Sequence, residues 1–528
     1  MCGVSSTKPA NLARGSTAGR LLPDGCRGPA KRGLTPICRF AYALCPEVAC
    51  RKGDGAMAKV DVMIDNARAA AREFLEFDQE RTDTIVRKVY QAALSSRVAL
   101  AKLAHEETEI GVWQDKVVKN VIASQFVYES IKRELTVGII SIDSFKGIME
   151  LARPLGPILA MVPIINPTST AIFKILIAMK TRNPLIVSTA PAAKKCVAET
   201  CRILHEAARE AGAPEHCIQW FKKPNMAMAR DLMSHRGLAL VLATGTGDMV
   251  REAHQSGTPT IGVGPGNVPV CVGCSADIPF AAESILSSKT FDNGTVCASE
   301  QAIVVRRVMA DRFIEEFKAR GAYFMTPEEI EKVGAIAYHR ESGSMSAYIV
   351  GQPVTRVAEM AGITVPEGTR VLVGQLDAVG PDHPLSAEIL APILAFYVEE
   401  GFEDAIRRTA EIARFGGRGH TAVIYSNNLE RIEYFADHLD VARILVNTPS
   451  TQGALGGMYN TLTPSFTLSC GTGGNSTTTE NISARQLLNI HRICRRRDNQ
   501  RWMNINKARY LDETLDATAI EEAYYRNT

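Results

Sequence analysis

No stretch of this 528-residue chain is apolar for long enough to cross a bilayer. The longest apolar run, Pro157 to Ile165, is about half the length of a membrane-spanning helix. It reads as a strand buried on both faces of a parallel sheet. Charge of one sign is equally scarce: 60 Lys and Arg stand against 57 Asp and Glu, a net charge of +3. No basic stripe interleaves with aromatics, so nucleic acid is not an expected partner. The glycine fingerprint Gly-x-Gly-x-x-Gly of ordinary dinucleotide folds is missing, so a nucleotide cofactor would need another arrangement. The 13 cysteines form no disulfide framework. Cys2, Cys26, Cys38, Cys45 and Cys50 lie in the leader and the rest are scattered. Cys271 and Cys274 make a lone Cys-x-x-Cys, without the second pair or histidine cluster of a metal site. A strand of small apolar residues is the expected reading there, no metal is expected, and the cysteine usage fits a reducing cytoplasm.

With 46% hydrophobic and 22% charged residues, the chain reads as a soluble globular protein of about two or three domains. Residues 1–56 differ from the rest, carrying nine Lys/Arg against three Asp/Glu, many Gly and Pro, and no periodicity. Three readings stand for this leader: an over-long gene call, a disordered tail, or a targeting segment. The first is favoured because Lys52-Gly53-Asp54 can be encoded by AAAGGAGAU, which resembles a bacterial ribosome-binding site just before Met57.

From Val60 to Leu135, apolar residues recur at helical spacing: Ile85, Val86, Val89 and Tyr90, then Val117, Val118, Val121 and Ile122. Val137 to Asp143 and Phe145 to Ala152 read as a hairpin. Strand then alternates with helix. Ile158–Pro163 leads to helix Ser169–Met179, Leu185–Ser188 to helix Ala192–Ala211, and Leu238–Ala243 to helix Gly247–Gln255. This rhythm predicts an α/β, doubly wound parallel sheet covered by helices. A second α/β region follows over 268–440, and no internal repeat is visible.

The segment Phe291-Asp-Asn-Gly-Thr-Val-Cys-Ala-Ser-Glu300 sets Cys297 just after an Asn-Gly turn and before an apolar strand. Asn-Gly permits tight-turn backbone angles, and reactive thiols sit in such partly exposed places near backbone N–H groups. On spacing alone, a buried cysteine acting as a small hydrophobe is the commoner outcome. Further motifs accompany it: NPTSTAIFK (166–174), KTRN (180–183), GVGPGNVPV (262–270), GHT (419–421), ILVNTPSTQG (444–453) and LSCGTGGNS (468–476).

Together with FDNGTVCASE these resemble, in family order, the CoA-acylating aldehyde dehydrogenases, above all the aldehyde half of the bifunctional aldehyde–alcohol dehydrogenases. The resemblance runs from about Val60 to Asn489, and the alcohol dehydrogenase half is absent from this sequence. It implies an NAD-binding domain over 57–267, with an oligomerisation hairpin at 137–152. A catalytic domain over 268–440 holds the nucleophile, 441–489 returns to the cofactor and oligomerisation region, and 490–528 is a charged tail. A homo-oligomer is implied, beside a separate alcohol dehydrogenase or in a microcompartment.

The resemblance also assigns chemistry. Cys297 attacks the aldehyde to give a thiohemiacetal. The Cys297 backbone N–H and the Asn166 side-chain amide stabilise its oxyanion; an Asn-Pro turn residue is the alternative for Asn166. Hydride loss to NAD leaves a thioester on Cys297. Ser188 falls where the family contacts the adenosine, Gly245 opens a helix whose N-terminus can face the pyrophosphate, and Glu388 matches the glutamate holding the nicotinamide ribose. Hydrolytic members carry a general-base glutamate where this sequence has Val263, so a thiol, coenzyme A, is the implied acceptor. His420 matches a histidine of the acylating enzymes and stands as a proton-transfer group, with a loop histidine of no catalytic role as the alternative. A hydrolytic dehydrogenase releasing free acid is the competing enzyme reading. A filament-forming structural role is the non-enzymatic one. The aldehyde is short, with acetaldehyde and sulfoacetaldehyde as candidates. The second rests on Arg418, whose guanidinium suits an anionic head group, unless it is a surface arginine.

Overall fold

Strand Ile158–Val162 is apolar throughout and buried throughout, as a central parallel strand must be when helices cover both faces. In this computed structural model, which describes residues 54–223 and 225–526, it is the middle of five parallel strands. Their spatial order is Ile218–Trp220, Leu185–Thr189, Ile158–Val162, Leu240–Thr244, Thr260–Val263. The strand order reverses between the third and fourth, the place where doubly wound sheets bind ligands outside their carboxyl ends. Helix Pro167–Lys180 opens with proline at its first position, where no N–H is needed. All fourteen of its residues are buried. Residues 1–53 of the predicted leader lie outside the described residues; its last three already belong to helix Asp54–Phe74.

A second, seven-stranded parallel sheet runs in the order Ala322–Phe324, Val371–Gln375, Ile393–Glu399, Glu300–Arg306, Val268–Val272, Gly419–Tyr425, Val441–Val446. The boundary expected at Asp440 therefore falls one strand short, because Val441 to Val446 pair in register with Gly419 to Ile424. The chain first passes from the five-stranded sheet to the seven-stranded one through the short link Gly264–Asn267. Carboxyl ends of the first sheet thus meet amino ends of the second, and Gly266 of that link donates to Glu388 at 3.0 Å.

The expected hairpin forms from Gly138–Asp143 and Ile148–Pro154, and a third antiparallel strand, Leu488–Cys494, joins it. That strand takes in the start of the expected charged tail 490–528: Ile490 lies inside it, paired with Ala152. The chain then continues into helices Gln500–Asn504 and Ala517–Arg526. The KTRN motif ties this region together. Asn183 accepts from the Gly156 N–H at 2.9 Å and donates to the Leu487 carbonyl at 2.9 Å, while Lys180 pairs with Asp83 at 2.5 Å.

Helix Trp113–Val121 departs most from the expected pattern. Val118 is 37% exposed, and the buried face is Lys116, Lys119 and Asn120. Charged residues face inward there because a buried carboxylate, Asp292, meets them.

Candidate active site

Asp292, Asn293 and Gly294 all adopt left-handed backbone angles, with φ of 49°, 53° and 77°. Glycine takes this conformation freely, and Asn and Asp tolerate it better than other side chains. This turn ends helix Ile278–Thr290 and brings Cys297 back toward the amino end of strand Glu300–Arg306. It is pinned from several sides. Asp292 accepts from the Val112 N–H at 2.6 Å, from Lys116 Nζ at 3.0 Å and from the Thr295 hydroxyl at 2.8 Å, and it pairs with Lys119 Nζ. Burial alone would raise its carboxyl, but Lys119, then Lys116, outweigh that and hold it below its ordinary value.

Cys297 is partly buried, and His420 Nε2 lies 3.3 Å from its Sγ. Nδ1 of the same imidazole lies 2.9 Å from Thr421 Oγ1. A proton on Nδ1 donated to that hydroxyl leaves the Nε2 lone pair facing the thiol. His420 is the second residue of strand Gly419–Tyr425 and fully buried, so the loop-histidine alternative does not describe it. Arg443 anchors the strand beneath. Its five N–H donors all have acceptors: Thr421 Oγ1, the Ser469, Leu468 and His420 carbonyls, and Asn481 Oδ1. Gly266 permits the close approach, because a Cβ there would sit 2.3 Å from the Cys297 carbonyl oxygen and 2.9 Å from His420 Cγ.

Electrostatics set the resting protonation of this pair. Burial, reinforced by the Glu388 charge, pushes the Cys297 thiol up to about 12. Burial, then the Arg443 charge, drops His420 well below its ordinary value. The resting pair is therefore thiol and neutral imidazole. Glu388 is itself raised to about 7 by burial, opposed by the Gly266 N–H that it accepts at 3.0 Å and by Lys289.

Asn166 is the N-cap of helix Pro167–Lys180, yet its side chain caps nothing. Its Oδ1 instead accepts from Lys119 Nζ at 2.7 Å. The turn-residue alternative thus leaves the amide unexplained. Ser188 is 7% exposed near the end of strand Leu185–Thr189. Gly245 follows strand Leu240–Thr244, and a Cβ on it would meet Met249 Cε at 2.1 Å. Helix Gly247–Gln255 then begins with no side chain capping its first turn. Its free N–H groups, at the point where strand order reverses, fit a dinucleotide pyrophosphate. Val263 is 1% exposed and ends strand Thr260–Val263; no titratable group occupies its position.

The junction therefore brings Cys297, His420, Glu388 and Asn166 together on its two sides, with Ser188 and Gly245 along the carboxyl ends of the first sheet. Arg418 does not join them. It pairs with Asp440 at 2.8 Å on the surface, with a side chain 60% exposed, so the anionic-substrate argument loses its cation. A cavity of about 1070 Å³ runs along the outer strand Ile218–Trp220 and holds none of the predicted site residues. The sequence reading missed Lys116, Lys119, Asp292 and Thr295. The signal available was two lysines three residues apart inside a helix expected to bury its valines.

Two parallel sheets that meet beside a thiol–imidazole pair define an α/β protein of the aldehyde dehydrogenase type. The model of the aldehyde dehydrogenase family matches residues 45–461, and the chain belongs to that family. It is 40% identical over 470 residues to a bifunctional aldehyde-alcohol dehydrogenase of Escherichia coli K12, covering 88% of this chain and 52% of that protein. The chain thus spans about half the length of that relative. It is 34% identical over 432 residues to the acetylating succinate-semialdehyde dehydrogenase of Clostridium kluyveri, covering 82% of this chain and 94% of the relative. An acetylating aldehyde dehydrogenase structure from Geobacillus thermoglucosidasius superposes with a TM-score of 0.82 at 41% identity, covering 84% of this chain and 98% of that one.

Proposed function

We propose that the protein is an NAD-dependent, CoA-acylating aldehyde dehydrogenase: aldehyde, CoA and NAD interconvert with acyl-CoA and NADH. The carrying observation is a thiol 3.3 Å from a neutral imidazole, in a site whose general-base position is the apolar Val263. His420 Nε2 takes the Cys297 proton as the thiolate adds to the aldehyde carbon. The oxyanion so formed is met by the Cys297 N–H and Asn166 Nδ2, preorganised donors that need no rearrangement. Ser188, Gly245 and Glu388 would hold the dinucleotide, which when bound supplies the hydride acceptor. Loss of hydride leaves a thioester on Cys297. Once the imidazolium has released its first proton to solvent, the CoA thiol adds to the thioester carbonyl, its proton passes to the neutral imidazole, and Cys297 leaves as thiolate, retaking that proton as acyl-CoA forms. The acetylating relatives support this acceptor.

The aldehyde is short, with acetaldehyde favoured now that Arg418 is engaged at the surface. Among the described residues no helix is long and apolar enough to cross a membrane, and we place the enzyme in the cytoplasm. The three-stranded sheet joins subunits into a homo-oligomer. A separate alcohol dehydrogenase, or a shared microcompartment, completes the setting; one relative is bifunctional and another structure comes from a microcompartment.

One observation favours a second reading. Glu388, raised to about 7 and close enough to influence Cys297, has the pKa of a general base for water. Rapid mixing of enzyme with acetaldehyde and NAD, without CoA, separates the two. The acylating reading expects one burst of NADH followed by a near-stop, relieved by CoA. Equal steady rates with and without CoA would overturn it in favour of hydrolysis.

A further inference from the structure

Lys119 is 1% exposed, and its ammonium touches both halves of the catalytic machinery. On one side it donates to Asn166 Oδ1 at 2.7 Å. On the other it pairs with Asp292 and donates to the Thr295 carbonyl and hydroxyl at 3.1 and 3.2 Å, two residues before Cys297. An ammonium has donors only, so the amide atom facing it must be oxygen. That fixes the amide the other way round for every other neighbour, and Nδ2 becomes its only free end. A cation on the carbonyl also polarises the amide and makes its N–H groups stronger donors. Asn166 retains 9% exposure, so a substrate oxygen can reach it.

We propose that Lys119 is a positioning residue for the oxyanion. It holds the Asn166 amide in the donating orientation and, through Asp292 and Thr295, locks that donor to the turn carrying Cys297. This rests on Cys297 and Asn166 acting as nucleophile and oxyanion donor, not on the identity of the acyl acceptor. It explains why charged residues occupy the inner face of helix Trp113–Val121. Two lysines and one aspartate there unite the helix, the carboxyl end of the first sheet and the nucleophile turn. Buried ion pairs are weak as stabilisers against apolar replacements, so a geometric role accounts for them better.

The test reads the rate of the NADH burst without CoA, which reports acyl-enzyme formation alone. Lys119→Met should lower it about 10- to 100-fold with the KM for aldehyde little changed. That is less than the ~10²–10³-fold cost of losing an oxyanion donor outright. Because this variant leaves Asp292 with Lys116 alone, the pair Asp292→Asn and Asp292→Asn/Lys119→Met repeats the comparison with charge balanced. The loss should vanish in an Asn166→Ala background, where no amide remains to orient. Losses that multiply in that background, or an undiminished burst in both Lys119→Met variants, would overturn the proposal. Full activity in Asn166→Ala or Cys297→Ala would instead overturn the reading beneath it.

Discussion

Replacing His420 with asparagine removes the proton acceptor while keeping a polar side chain of lesser volume beside Thr421. The structure bounds the loss. With its thiol pushed up to about 12, Cys297 exists as thiolate to the extent of ~10⁻⁵ at pH 7, about five units below. That fraction still reacts without a base, so the loss cannot exceed about 10⁵-fold. A positioned general base contributes ~10²–10⁴-fold, or about 3–5 kcal/mol of barrier. The pH dependence is the sharper signature. His420 is held well below its ordinary value, so it is neutral and able to accept a proton across pH 7 to 9. The unmutated burst rate should therefore not climb with thiolate there; it falls when acid finally protonates the imidazole and, because burial lowers Lys119 to about 8, falls again toward pH 9 as that ammonium is lost. The variant has no such base, and its burst rate should climb about tenfold per pH unit as thiolate accumulates. Stopped-flow NADH fluorescence between pH 7 and 9 measures both. A His420→Asn enzyme within threefold of the original, with a flat profile, would refute the argument.

Three further outcomes are expected. Cys297→Ala should abolish aldehyde-dependent NADH formation and the site-specific alkylation by iodoacetamide, with the melting temperature preserved; more than trace activity would reassign the nucleophile. Gly266→Ala forces a methyl against the Cys297 carbonyl and the His420 ring, an overpacking that typically costs about 1–3 kcal/mol. Calorimetry should show the lower melting temperature, and the burst should slow. Val263→Glu should divert part of the flux to free acid without CoA, seen as a nonzero steady rate after the burst and as acetate by chromatography; an unchanged product ratio would show that a carboxylate at Val263 cannot reach the thioester.

The parallel-sheet architecture was legible because its signals are local. Apolar runs such as Ile158–Val162 and the Asn-Gly turn before Cys297 announce themselves within a few residues. The motifs nominated Cys297, Asn166 and His420 directly, and the family resemblance they carry nominated Ser188, Gly245 and Glu388 from the segments between them. Strand Val441–Val446 was placed on the wrong side of a boundary because its partner, Gly419–Tyr425, is identified by pairing rather than by composition.

What only the tertiary structure decided is the long-range compensation of charge. Nothing local in the sequence buries Lys116 and Lys119; Asp292, 173 residues beyond Lys119, does so by pairing with both. Arg418 and Arg443 look alike in sequence. One meets Asp440 at the surface, while the other commits every donor under the His420 strand. The sequence by itself determined which residues could do the chemistry and the order of sheets that carries them. The depressed His420, the raised Cys297 and the oriented Asn166 amide are properties of burial and of neighbours distant along the chain, so they exist only once the two sheets have met.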